Sequence, residues 1–134
     1  LMGASDNVVR GGLTPKHVDA EALVTLLAPP GTTPTALAGV DVAPGVRRYD
    51  PPAPELALHR LEPAGGSMPV PSTPPGPAVL LATGSSATVT SEHVSFVLDG
   101  GNAALVGPGE RDEVTVSGDG TVWVATPGAD DRAG

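Results

Sequence analysis

A chain of 134 residues without a cysteine holds one domain and excludes disulfides, thiol catalysis and cysteine-ligated zinc. Its 17 valines and 13 leucines favour a strand-built core, while 18 glycines and 16 prolines argue against a helical bundle. The net charge of −8 is uneven, −1 over residues 1–60 and −7 over residues 61–134, a surface that repels a phosphate backbone.

The opening segment, Ser5 to Lys16, mixes polar residues with glycine and reads as a loop or strand edge bending at Gly11-Gly12. A short helix follows. Asp19 is its N-cap, Glu21 lies in the first turn, and Leu23, Leu26 and Leu27 share a face that must dock to persist. Ala28-Pro29-Pro30-Gly31 stops it. Residues 29–55 are punctuated by proline and glycine, with one strand around Val46 to Tyr49. Glu55 to Leu61 reads as a second strand. Pro63 to Pro77 has six prolines in fifteen residues and reads as a loop, ordered or not.

Beyond Pro77 short apolar runs alternate with glycine turns, giving strands at Ala78–Ala82, Ala87–Thr90, His93–Leu98, Ala103–Val106, Glu113–Val116 and Thr121–Ala125. Val114, Val116, Val122 and Val124 form the inward face of what reads as a final hairpin. That rhythm predicts an all-β, jelly-roll-like domain with one short helix. No apolar run approaches the roughly 20 residues of a membrane span, and nothing has the pattern of a signal peptide, so the expected location is cytoplasmic. The three aromatics, Tyr49, Phe96 and Trp123, offer no platform for stacking single-stranded nucleic acid.

Ser5-Asp6-Asn7-Val8-Val9-Arg10-Gly11-Gly12-Leu13-Thr14-Pro15-Lys16-His17-Val18-Asp19 resembles the signature segment of type I phosphomannose isomerases (mannose-6-phosphate isomerases). Val46-Arg47-Arg48-Tyr49, Leu56-Ala57-Leu58-His59-Arg60-Leu61 and the closing strands are similar to the same family, which implies a cupin-like fold. The resemblance implies that residues 1–40 are the tail of a catalytic cupin domain, 41–127 a C-terminal cupin-like β domain, and 128–134 a flexible tail. It also implies a zinc-dependent interconversion of mannose 6-phosphate and fructose 6-phosphate. The family's metal ligands, Gln, His, Glu and His, lie upstream of the Ser-Asp-Asn segment. No zinc is therefore expected in this chain alone, which would be inactive by itself.

By the same resemblance Arg10 stabilises charge on an enediolate oxygen, Asp6 is an acid–base or orienting group, and Lys16 binds the substrate phosphate. Lys16 is the single lysine of the chain, in its least acidic half. His17, His59 and His93 are scattered and read as packing or surface groups rather than metal ligands. The expected partners are a phosphorylated hexose and the missing upstream part of the enzyme, with no nucleic acid and no membrane. The competing reading is a catalytically silent β-sandwich module that binds a sugar phosphate or a partner chain.

Overall fold

The computed structural model describes residues 9–27, 36–52 and 55–128, which divide into two units, residues 2–36 and residues 37–134. In the second unit the chain runs β1 (Val40–Ala43), β2 (Val46–Tyr49), β3 (Leu56–Leu61), β4 (Ser67–Pro69), β5 (Ala78–Thr83), β6 (Ala87–Thr90), β7 (Ser95–Leu98), β8 (Ala103–Val106), β9 (Thr115–Gly118) and β10 (Thr121–Pro127). A single 3-10 turn, Arg111–Glu113, precedes β9. The strands form two antiparallel sheets, β1-β2-β3-β10-β5-β8 and β4-β9-β6-β7. This is the all-β, cupin-like architecture that the sequence predicts.

Alternation of side chains across each strand makes the core. In the large sheet Leu61, Val122 and Ala82 stand side by side on the inward face, as do His59, Val124 and Leu80. They meet Ala87, Val89, Leu98 and Val116 of the small sheet in one buried cluster. Leu61, Leu80, Val116, Val122 and Val124 are fully buried. At roughly 1.5–3 kcal/mol per buried aliphatic side chain, this cluster is the main source of the domain's stability.

Three expectations are corrected. The stretch Pro63 to Pro77, read as a loop, holds a strand: β4 lies within it and pairs with β9, and Val70 donates to the Val114 carbonyl. The predicted last hairpin is not one. Val114, Val116, Val122 and Val124 are all buried, but β9 belongs to the small sheet and β10 to the large one. The turn between them is a corner of the sandwich, crowded enough that a Cβ on Gly120 would come within 2.4 Å of the Ser85 carbonyl oxygen. Alternating valines mark inward faces without saying which sheet each face belongs to. The third correction is β1, a four-residue edge strand where one strand was expected between residues 29 and 55; its two alternating valines, Val40 and Val42, are a short run, and every residue is exposed.

In the unit of residues 2–36, the helix α1 (Ala20–Leu26) starts where expected, with the Asp19 carboxylate accepting from the Ala22 N–H at 2.9 Å. The expected burial of its leucines does not follow within the described residues, where Leu26 and Leu27 remain exposed. The expected stop at Ala28 to Gly31 and residues 129–134 of the expected 128–134 tail lie outside the described residues, while Gly128 donates to the Glu55 carbonyl at 2.8 Å.

Candidate functional site

The segment that the sequence singles out runs into α1 through an unusual backbone. Gly12 has φ of 146° and Leu13 follows at 54°, a left-handed conformation that a leucine adopts at a cost of order 1 kcal/mol. Gly11 lies so close to the helix that a Cβ there would stand 3.0 Å from Leu23 Cδ2. This sharp bend leaves Arg10 half-buried and Lys16 exposed, six residues apart on one short stretch. Thr14 Oγ1 accepts from the Lys16 backbone N–H at 3.2 Å, fixing the chain just before the helix. Thr14 thus has a structural part. Asp6 lies outside the described residues.

The β unit buries two further charged or titratable groups. Arg111 is 2% exposed. Its guanidinium donates from Nε and Nη2 to the Pro71 carbonyl, and from Nη1 to Pro74 at 2.7 Å and Gly76 at 3.2 Å. Burial pushes its pKa down, with the nearby Asp112 acting in the opposite sense. Sequence reasoning passed over Arg111 because one arginine in a loop has no periodicity. A signal exists nonetheless: six prolines between 63 and 77 remove six N–H donors, so carbonyls there need donors from elsewhere.

His59 faces inward from β3 beside Val124 and is 6% exposed, its Nδ1 without a partner. Burial pushes its pKa below the ordinary 6.5, and the charges of Arg48 and Arg111 add to this, with Asp50 opposing. A buried imidazole facing two guanidiniums is held neutral. It is a poor metal site, because the cationic Arg48 and Arg111 both act on it. Among the described residues no three His, Cys, Asp or Glu side chains cluster closely enough to hold a metal ion. The described residues therefore do not fit a zinc site. His93 lies in a bend before β7 rather than on a strand.

On the outward face of the large sheet, Arg47 and Arg60 stand directly opposite each other. Arg47 grips Asp41 with two bonds of 2.7 and 2.9 Å, and Arg60 reaches Glu62 at 2.5 Å. These pairs are exposed, so they set local geometry more than stability. A small gap between the sheets is lined by Val89, Val94, Phe96, Val106 and Val114, with Glu110 beside them. Glu110 is already engaged, since its Oε2 accepts from the Gly107 N–H at 3.1 Å. No helix among the described residues is long and apolar enough to cross a membrane.

No protein-family model matches the chain. Two curated proteins of Arabidopsis thaliana are similar to it. Mannose-6-phosphate isomerase 2 is 44% identical over 81 residues, which is 60% of this chain and 18% of that protein. Mannose-6-phosphate isomerase 1 is 37% identical over 107 residues, 79% of this chain and 24% of that protein. The mannose-6-phosphate isomerase of Cryptococcus neoformans is 33% identical over 119 residues, covering 84% of this chain and 27% of its own length. This chain thus spans about a quarter of the length of the curated relatives it matches. Among solved structures, mannose 6-phosphate isomerase from Salmonella typhimurium, bound to fructose 6-phosphate and zinc, superposes with a TM-score of 0.66 at 25% identity. That match covers 95% of this chain and 32% of the Salmonella chain. By sequence and by fold, this chain is a homologue of a part of the mannose-6-phosphate isomerases.

Proposed function

We infer that this chain works as the C-terminal portion of a zinc-dependent mannose-6-phosphate isomerase, interconverting mannose 6-phosphate and fructose 6-phosphate in the cytoplasm. One observation carries the reading: the similarity to a curated isomerase extends over 79% of this chain rather than over one strand pair. In this reading residues 1–40 close the catalytic domain and residues 41–127 form the C-terminal cupin-like domain.

The reaction moves a proton between C1 and C2 of the sugar through a cis-enediol, so negative charge develops on an enediolate oxygen. Arg10 is suited to that oxygen, since a guanidinium keeps its charge at any working pH and offers a planar fork of donors. Its half-buried position limits competition from water. Asp6 would hold or move the proton, or orient the group that does. Lys16 is an exposed ammonium on the same short stretch, suited to a phosphate that carries roughly −1.5 to −2 charges at neutral pH. Zinc would be held by residues outside this chain, and no step here is derived through it.

The test is a chimera in which this chain replaces the matching segment of Arabidopsis mannose-6-phosphate isomerase 1. The reading expects conversion of mannose 6-phosphate to fructose 6-phosphate by the chimera and none by this chain alone. A folded, zinc-loaded chimera without activity would favour a catalytically silent module instead.

A further inference from the structure

The turn from Asp99 to Asn102 carries the chain between the sheets, since β7 is the last strand of the small sheet and β8 the last of the large one. No ladder among the described residues joins these two edges. Next to the turn the corner is shut: Leu98 points inward and is 4% exposed. Two residues back along β7 it is open. Phe96 stands opposite the buried Val89 and so also points inward, yet it is 39% exposed. The β8 residue that shares the gap is Ala104, which faces inward beside Leu80 and is too small to cover a phenyl ring. An inward aromatic that no neighbour covers marks a core left unfilled at that corner. The space is a cavity of about 170 Å³, walled by Val89, Phe96, Ala104, Val106 and Val114. An apolar cavity of roughly 150 Å³ takes up a benzene ring.

The polar side of the cavity is acidic. Glu110 and Glu113 line it together with Ser91 and His93, and no lysine or arginine among the described residues does. Arg111 lies between the two glutamates in sequence, but its guanidinium is turned to the carbonyls of Pro71, Pro74 and Gly76. Neither glutamate is ion-paired among the described residues, and Glu110 is fixed by the Gly107 N–H. An uncovered aromatic ring and free carboxylates around an apolar hole are the parts that recognise an organic ammonium. We propose that the cleft between β7 and β8 binds a small apolar organic cation, with its ring or branched alkyl group against Phe96 and its ammonium at Glu110 and Glu113. The net charge of −7 over residues 61–134 favours a cation there. The occupant is a small molecule rather than a protein strand, because the corner closes at Leu98 and leaves room for one ring, not for a chain running through. The proposal goes beyond the isomerase reading and does not depend on it: a sugar phosphate is polar and anionic, the reverse of what this cavity fits.

The probe is 2-phenylethylammonium, titrated into the full chain while the valine methyl resonances are followed by NMR. Val89, Val106 and Val114 should shift saturably, with a dissociation constant in the millimolar range or below, while Val46 on β2 stays still. Phenylacetate carries the same ring with the opposite charge and should bind weaker by about tenfold or more. Replacing both acids, Glu110→Gln with Glu113→Gln, should weaken 2-phenylethylammonium by about tenfold and erase the preference between the probes. Both side chains are exposed, so the melting temperature should hardly move. Ala104→Leu fills the cavity and should abolish binding of either probe; if that variant does not fold, the glutamine pair decides alone. Equal binding of the two probes by the parent, shifts spread over distant valines, or an unchanged affinity in the glutamine pair would each overturn the proposal. So would shifts at these valines that grow with protein concentration alone, which assign the cleft to a second copy. In the Arabidopsis chimera the affinity should persist. Its loss there would show that the cleft is covered in the longer protein and would overturn the proposal, whereas isomerase activity, read separately, bears only on the functional reading.

Discussion

Tyr49 and Trp123 meet over a strand that lies between them: β3 separates β2 from β10, yet the two ring centroids are 5.7 Å apart with the planes tilted by 36°. Both rings stand on the outward face, and the indole N–H donates to Thr83 Oγ1 at 3.2 Å on the far side. The contact therefore ties three strands together, and β5 through the hydrogen bond. Aromatic pairs of this geometry couple by about 0.5–1.5 kcal/mol beyond their area burial. A double-mutant cycle with Tyr49→Ala and Trp123→Ala, followed by far-UV circular dichroism in urea, should return a coupling in that range. Strict additivity would mean that the rings touch without stabilising each other.

Arg111 gives a larger effect. Its guanidinium serves the carbonyls of Pro71, Pro74 and Gly76, which follow a stretch poor in N–H donors. Arg111→Met leaves those carbonyls unserved and should cost about 3 kcal/mol in a denaturant titration. Arg111→Lys should recover little of this, because an ammonium cannot reproduce the planar fork. The loss should concentrate locally, so limited proteolysis is expected to cut between residues 70 and 77 in the variants and not in the parent. Equal protease resistance would show that the loop holds its shape by other means.

How far the sequence foretold these features depends on what each leaves in the pattern of residues. β6 and β10 were legible because apolar residues recur at every second position, and β5 and β8 because they are short apolar runs bounded by glycine turns. The same pattern could not assign β9 and β10 to different sheets, because inwardness is common to both halves of a sandwich. β1 is exposed on both faces, and its alternation, Val40-Asp41-Val42, is too short to mark a strand. The strand inside the proline stretch was not legible because the groups that hold that stretch lie far along the chain: its partner β9, and Arg111, some 35–40 residues from the carbonyls it serves. The apolar residues on the outward face of the large sheet were hidden in plain view: Val79, Leu81 and Leu105 look like core residues until the register shows which way they point. Arg10 and Lys16 came from resemblance rather than from any periodicity.

His59 should make stability depend on pH. Its folded pKa lies below the ordinary 6.5, so as pH falls through that value the unfolded chain binds a proton that the folded chain refuses. Stability is therefore full above about pH 7 and falls between 6.5 and the depressed folded value, by at most about 1.4 kcal/mol per pH unit for a single proton. His59→Leu removes the titrating group and should flatten the difference between pH 7 and pH 5.5. A variant whose melting temperature falls as steeply as the parent's over that interval would assign the dependence to the carboxylates.

Arg10 is tested in the Arabidopsis chimera. Arg10→Lys keeps a positive charge but loses the fork of donors, so turnover should fall by roughly 10²–10³, as it does on removing one stabiliser of an oxyanion. Folding should be little changed, which the melting temperature of the same preparation reports. Turnover within a factor of a few of the parent chimera would remove Arg10 from the chemistry.

Lys16 should fail in a different way. A phosphate contact is made equally in the ground state and the transition state, so losing it weakens substrate binding without raising the barrier from the bound complex. In the chimera, Lys16→Ala should raise KM for mannose 6-phosphate while kcat falls much less. Added salt provides an independent reading, because Lys16 is exposed and its attraction for a phosphate is screened over about 10 Å at 0.1 M ionic strength. Raising the salt should therefore raise KM of the parent chimera more than that of Lys16→Ala. A lysine that only precedes a helix would change neither constant, since its contact with Thr14 is made by the backbone and survives the substitution. A fall in kcat at constant KM would move Lys16 from the phosphate to the reacting carbons.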